Sequence, residues 1–242
     1  MAHFIRHLNR VFTCAVCLAA LHAEPSPTPK EVEVRFTVFA LGGAEGIAYR
    51  PTVGAVPRAL KFFSAYRSPV YDYRGASRLC FFDPAGGNEL GPMAVYDVPE
   101  GVKRVLLLFF PKDGAVGSGL RYDVYGVDDG LERVPAGHFI TINVSGRDYV
   151  GQYGANRIAI PQGVGSVHPG KSRVLLSLAA QVEGQWMAAG RHEFILGAED
   201  RVTLIFYPPA SRTSVYPLIR RLKDSTAAAG ADGSAEEIAQ AP

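Results

Sequence analysis

The most constraining feature of this chain is that it writes part of itself twice. RVLLLFFP at 104–111 returns as RVTLIFYP at 201–208. EVEVRFTVFAL at 31–41 has a counterpart of the same character in LRYDVYGV at 120–127, and each is followed by a turn-rich stretch and a Val-Pro pair, Val56-Pro57 and Val134-Pro135. Between these blocks, residues 60–81 lie over 139–160 without a gap, which sets Phe63 on Ile142, Arg78 on Arg157, Leu79 on Ile158 and Phe81 on Ile160. Four blocks in one order define a unit of about 80–95 residues, the size of a small domain rather than of a solenoid repeat.

The unit is built from strands. Val32, Val34, Phe36 and Val38 alternate with Glu33, Arg35 and Thr37, the period of a half-buried strand. Residues 105–110 are apolar throughout, which predicts a central strand covered on both faces. Short apolar runs divided by Gly, Pro, Asp and Asn, with no long amphipathic helix, predict an all-β chain of two tandem β-sandwich repeats. The boundaries read as repeat 1 at 31–110, a linker at 111–119, repeat 2 at 120–208, and a C-terminal extension at 209–224. Repeat 2 carries an added hairpin, 172–182 and 185–189 around Glu183-Gly184. The Ala/Gly/Ser-rich tail at 225–242 is expected to be disordered.

Residues 1–23 follow the order of a secretory signal peptide: Arg6 and Arg10 without an acid, an apolar run from Val11 to Leu21, and Leu21-His22-Ala23 before the proline-rich linker at 24–30. Eleven apolar residues are too few to span a bilayer, and no transmembrane span is expected in the mature chain. Cleavage after Ala23 removes two arginines and no acid and takes the formal charge from +2 to zero. That balance offers no footprint for nucleic acid. The expected location is periplasmic or extracellular. Cys14 and Cys17 leave with the signal, and Cys80 is expected to be buried between Leu79 and Phe81.

The stretch HFITINVSGRDYVGQYGANRIAIPQG, followed by VHPGKSRV, resembles uncharacterised exported bacterial proteins built from tandem immunoglobulin-like β-sandwich domains. The resemblance rests on turn chemistry, an Asn-x-Ser-Gly corner and a Pro-Gly turn, and implies no catalytic residues. The Cys…Trp…Cys core of antibody domains is absent from the sequence.

Catalytic patterns fail on inspection. Gly165–Ser172, GSVHPGKS, fits the phosphate-loop pattern, but no acidic strand end follows, and Pro169-Gly170 reads as a type II turn with Gly170 at φ > 0. No nucleotide is expected. No serine lies in a nucleophile elbow, and His138, His168 and His192 lack zinc spacing. Asp123, Asp128 and Asp129, and Asp83 with Asn88 and Glu89, read as solvated loop acids rather than a calcium site. No metal, cofactor or catalytic residue is assigned.

The alignment of the copies singles out aromatic residues instead. Phe62, Tyr66 and Tyr73 fall opposite Thr141, Ser145 and Gln152, so they are expected to face solvent, while Phe63, Tyr71, Leu79 and Phe81 face the core. With Arg74 and Arg67 nearby, and Trp186 in the added hairpin, they form a candidate surface for an envelope protein or a glycan. The leading expectation is a non-enzymatic protein with a structural or protein-binding role at the cell envelope. The alternatives are a carbohydrate-binding module, an envelope enzyme with an unrecognised site, and a periplasmic assembly chaperone.

Overall fold

The computed structural model describes residues 30–85, 91–112, 119–211 and 213–225. Residues 1–29, where a signal peptide with Cys14 and Cys17 is expected, Asn88, Glu89 and the tail beyond Ser225 lie outside the described residues. The described chain is all-β. Its strands are β1 (Glu31–Ala40), β2 (Ala48–Tyr49), β3 (Arg58–Ala59), β4 (Tyr71–Ala76), β5 (Arg78–Phe81), β6 (Ala94–Asp97), β7 (Arg104–Pro111), β8 (Tyr122–Asp128), β9 (His138–Asn143), β10 (Tyr149–Tyr153), β11 (Asn156–Ile160), β12 (Gly163–Pro169), β13 (Arg173–Val182), β14 (Gln185–Ile195), β15 (Asp200–Tyr207) and β16 (Leu218–Ser225). No helix among the described residues is long and apolar enough to cross a membrane.

Three four-stranded sheets dominate, in the orders β4-β1-β7-β8 (sheet 1), β12-β9-β15-β16 (sheet 2) and β11-β10-β13-β14 (sheet 3), with the small pairs β2-β3 and β5-β6 beside sheet 1. Sheets 1 and 2 share one pattern. A central parallel pair, β1 with β7 or β9 with β15, is flanked on each side by an antiparallel strand. Arg104 is level with Arg35 in one sheet, and Arg201 with His138 in the other. The repeated RV blocks are therefore equivalent central strands.

This pairing corrects two boundaries, the start of the second repeat at 120 and its end at 208, since most of the expected C-terminal extension 209–224 is strand β16 of sheet 2. Tyr122–Asp128 does not open the second half: it lies antiparallel to β7 as the last strand of sheet 1. Its equivalent is β16, antiparallel to β15. The true counterpart of β1 is β9. Alternating apolar and polar residues specify a strand but not its partner, so a closing strand resembled an opening one.

The layers follow from side-chain alternation. Val34, Phe36 and Val38 of β1, with Val105, Leu107 and Phe109 of β7, pack under β2, β5 and β6. The opposite face of sheet 1 presents Phe39, Leu41, Leu106, Leu108 and Val127 to Ile140, Ile142, Ile205 and Leu222 of sheet 2. The far side of sheet 2, through Phe139, Val202, Leu204 and Phe206, packs on sheet 3. β7 and β15 are covered on both faces, as their unbroken apolar runs require. The Asn-x-Ser-Gly corner carries the chain from sheet 2 to sheet 3. Asn143 Nδ2 donates to the carbonyls of Arg147 and Ile160, and the Ser145 hydroxyl donates to Asn143 Oδ1. The hairpin β13–β14 forms as expected, its two-residue turn taking positive φ at Glu183 (49°) and Gly184 (81°), the twist that suits a tight hairpin, but it is no addition: it stands between β12 and β15 as the shorter pair β5–β6 stands between β4 and β7.

Candidate functional site

The proposed aromatic surface around Phe62 does not assemble. Residues 61–70 contain no strand, so Phe62, Ser64 and Tyr66 share no strand face. Phe62 packs edge-on against Phe109 at 5.3 Å within the core under sheet 1. Phe63, expected inside, is 38% exposed beside Tyr66, which is 63% exposed. Tyr73 is 9% exposed, because β4 runs antiparallel to β1 and sets Tyr73 opposite Val34 on the core face. Its hydroxyl donates to the Ala76 carbonyl at 2.8 Å. Arg74 is exposed and paired with Glu31 at 2.9 Å. The ungapped alignment equated this loop with β9, a strand pinned between β12 and β15, and so assigned orientations that the loop does not have.

Trp186 is exposed, 54%, at the end of the long hairpin β13–β14. Register places two rows across the outer face of sheet 3. Arg157, Gln152, Ser177 and Arg191 form one, and Ala159, Val150, Ala179 and Ala188 the other. The small side chains of the second row form a floor. The Trp186 ring lies across it toward Arg157, whose guanidinium carbon is 6.0 Å from the ring centroid. The resulting open groove of about 280 Å3 is bounded by Trp186, Arg157, Gln152 and Ser177. A flat ring beside amide, hydroxyl and guanidinium donors can stack on a ligand face and hydrogen-bond its rim.

A second assembly joins residues far apart in the sequence. At the seam between sheets 1 and 2, Asp129 meets Arg67 at 2.5 Å, Arg104 at 3.3 Å and Arg201 at 3.4 Å. Asp224 meets Arg104 at 3.1 Å and is hydrogen-bonded by Arg201. Arg201 is 1% exposed, and its Nη1 donates to the carbonyls of Asp129 and Val134. Arg67, expected on the surface beside the aromatics, is buried here, with Nη2 donating to Thr203 Oγ1 at 2.7 Å. Burial pushes the Asp224 carboxyl up, but Arg67, Arg201 and Arg104 together hold it below the usual carboxylate range. Asp129, read from sequence as a solvated loop acid, is at the centre of this cluster. The signal was available in the shared arginine that opens both RV blocks.

Beside the cluster opens a cleft of about 650 Å3 whose walls carry Arg35, Arg58, Arg67, Arg104 and Lys223 against Asp72 and Asp224. It shares no lining residue with the Trp186 groove.

The remaining motifs resolve structurally. Lys171 and Ser172 lead into strand β13, not a helix, so the phosphate-loop pattern lacks the helix N-terminus that would hold a phosphate. Gly170 does not adopt the expected positive φ. Its need for glycine is spatial, since a Cβ there would stand 2.2 Å from Leu196 Cδ2. Cys80 is exposed, not buried. Leu79 and Phe81 face the core, so the residue between them on a strand must face away. Desolvation still raises its thiol pKa, against the opposing pull of Arg78. His168 and His192 pack beside Phe139 and Phe194, and burial lowers both pKa values. Among the described residues no group of His, Cys, Asp and Glu is placed to hold a metal ion.

No protein-family model matches the chain, and no curated protein matches it. Among solved structures, a leucine-rich repeat protein from Bacteroides thetaiotaomicron aligns with 77% of this chain at 12% identity and a TM-score of 0.17. The aligned part is 26% of that protein, so this chain spans about a quarter of its length. A likeness at this level carries no argument about fold or function.

Proposed function

We propose that this chain is an exported, non-enzymatic binding protein of the cell envelope, built from two tandem immunoglobulin-like β-sandwiches. Sheets 1 and 2 form the structural frame that joins them, and the outer face of sheet 3 is the binding face. The observation that carries this reading is Trp186, exposed on a hairpin whose strands of 10 and 11 residues far outreach the four-residue strands of its counterpart β5–β6, beside an open groove of small and polar side chains. Large aromatics left exposed over a shallow groove are characteristic of surfaces that meet a partner. The role is structural or protein-binding. A glycan is the second reading, favoured by one feature: the Arg157–Gln152–Ser177–Arg191 row supplies hydrogen-bonding groups alongside the ring.

Trp186 is the single tryptophan of the chain, so its fluorescence reports on this face directly. Titration with β-glucan, chitin and peptidoglycan oligosaccharides would give a saturable emission change on the glycan reading. On the protein reading the glycans leave emission unchanged, and a photo-crosslinker at Ala188, but not at exposed Val53, joins the chain to one envelope protein in intact cells. Silence in both assays refutes the binding face.

A further inference from the structure

The charge cluster at the seam contains more than its symmetry requires. Arg104 and Arg201 are equivalent, each at the head of a central strand. Asp224 is opposite Arg201 in the β15–β16 ladder, and Asp129 is opposite Arg104, donating its N–H to the Arg104 carbonyl at 3.0 Å. These four residues form a closed set of two guanidiniums and two carboxylates, contributed equally by the two halves. Arg67 is a fifth member without a counterpart. In the second half the stretch alongside β9 at the same position, Gly163 to Val167, has no charged residue.

A third guanidinium against two carboxylates leaves one positive charge in excess at a buried site, a costly arrangement unless something offsets it. Arg201 lies deepest and has two backbone carbonyls as well as both carboxylates. The excess therefore falls on Arg67 and Arg104, which are the two that line the cleft. Two side chains of the cleft wall, each more than nine-tenths buried, keep a polar atom without a hydrogen-bond partner: Arg67 at Nε and Thr37 at Oγ1. On the wall stands Arg58, its guanidinium 5.4 Å from the Tyr71 ring centroid, with no carboxylate partner among the described residues. The acids of the cleft are already engaged, Asp72 with Arg35 at 3.4 Å and Asp224 with Arg104 at 3.1 Å.

We propose that this cleft binds a tetrahedral oxyanion group, a phosphate or sulfate monoester, between Arg58, Arg67 and Arg104. Guanidinium forks match such groups, and a site with several donor side chains suits three acceptor oxygens better than the two of a carboxylate. The volume leaves room for the organic part of an ester.

Calorimetry on the full chain with inorganic phosphate, sulfate and acetate at fixed ionic strength tests this. Phosphate and sulfate should bind saturably, and acetate about tenfold more weakly. Arg58→Gln changes an exposed residue and should weaken phosphate binding about tenfold. Arg67→Met should abolish it, and phosphate should raise the melting temperature of the wild type but not of Arg67→Met. Glucose 6-phosphate and glucose 6-sulfate separate the two esters, and preference for either supports the site. Trp186→Ala should retain phosphate binding, so the result stands apart from the fate of the sheet 3 reading. Absence of saturable binding, acetate binding as well as phosphate, or unchanged affinity in Arg58→Gln and Arg67→Met would each overturn the proposal.

Discussion

Replacing Asp129 with Asn should be among the most damaging single changes in this protein, and the structure shows why. The Asp129 carboxylate is nearly fully buried and stands within 3.4 Å of three guanidiniums. Asn keeps an acceptor oxygen and the shape but loses the charge. Three arginines then face Asp224 alone, with two positive charges uncompensated instead of one. Removing one partner of a buried ion pair costs about 3–5 kcal/mol, because the other charge stays behind. Arg67→Met acts in the opposite direction on the charge balance. It sacrifices the bonds to Asp129 and Thr203 but leaves the symmetric set of two arginines and two aspartates neutral. Its expected cost is about 1–2 kcal/mol, since apolar replacement of a buried charge within a set that remains balanced is often tolerated. Urea melts followed both by circular dichroism and by Trp186 fluorescence give the two values and show whether the halves unfold together. In the double variant the loss should be smaller than the sum of the single losses, because removing Arg67 takes away one of the stranded charges. A cost below about 1 kcal/mol for Asp129→Asn, or equal costs for the two single variants, would refute the account of the cluster as a charge-balanced joint.

Other consequences follow from the same structure. His168 and His192 have pKa values lowered by burial from the ordinary 6.5, so the unfolded chain takes up protons first as the pH falls. Stability should decline from pH 7 to 5, with His192→Gln flattening the profile. Asp224 acts in a lower window: its depressed pKa contributes stability above the usual 3.8 that is lost as the pH falls through its folded value. Phe62→Ala should destabilise by about 2–4 kcal/mol through loss of its contact with Phe109, and exposed Phe63→Ala by less than about 1 kcal/mol, the two costs being compared in urea melts. Trp186→Ala should change stability by no more than about 0.5 kcal/mol while removing any ligand response of sheet 3, as thermal melts and binding assays on the same preparation would show.

What the sequence made legible depended on whether a local pattern determines the outcome. The run Val105–Phe110 can be satisfied only by burial on both faces, and β7 is so buried. The Glu183-Gly184 turn between two apolar runs specifies a hairpin through backbone chirality alone. Partner choice is not local. Tyr122–Asp128 has the composition of an opening strand and closes sheet 1, and this one misplacement carried the linker with it. The exposure of Cys80 follows from a local pattern too, because on a strand the apolar neighbours Leu79 and Phe81 mark the opposite face and not its surroundings. Of the charge cluster the sequence shows only the arginine that opens both RV blocks, for a different reason: Arg67, Arg104, Asp129, Arg201 and Asp224 are scattered over most of the chain, and only the stacking of two similar sheets brings them together. Duplication explains why four of the five pair off. A joint built from equivalent positions balances itself, as the apolar part of the seam also does with Phe39 and Ile142, Leu108 and Ile205, and Val127 and Leu222 at corresponding places. The frame therefore accounts for the residues that recur. Arg67 and Trp186 do not recur, and the frame does not require either of them, which is the physical reason that both proposals of a ligand rest on the departures from the repeat rather than on the repeat itself.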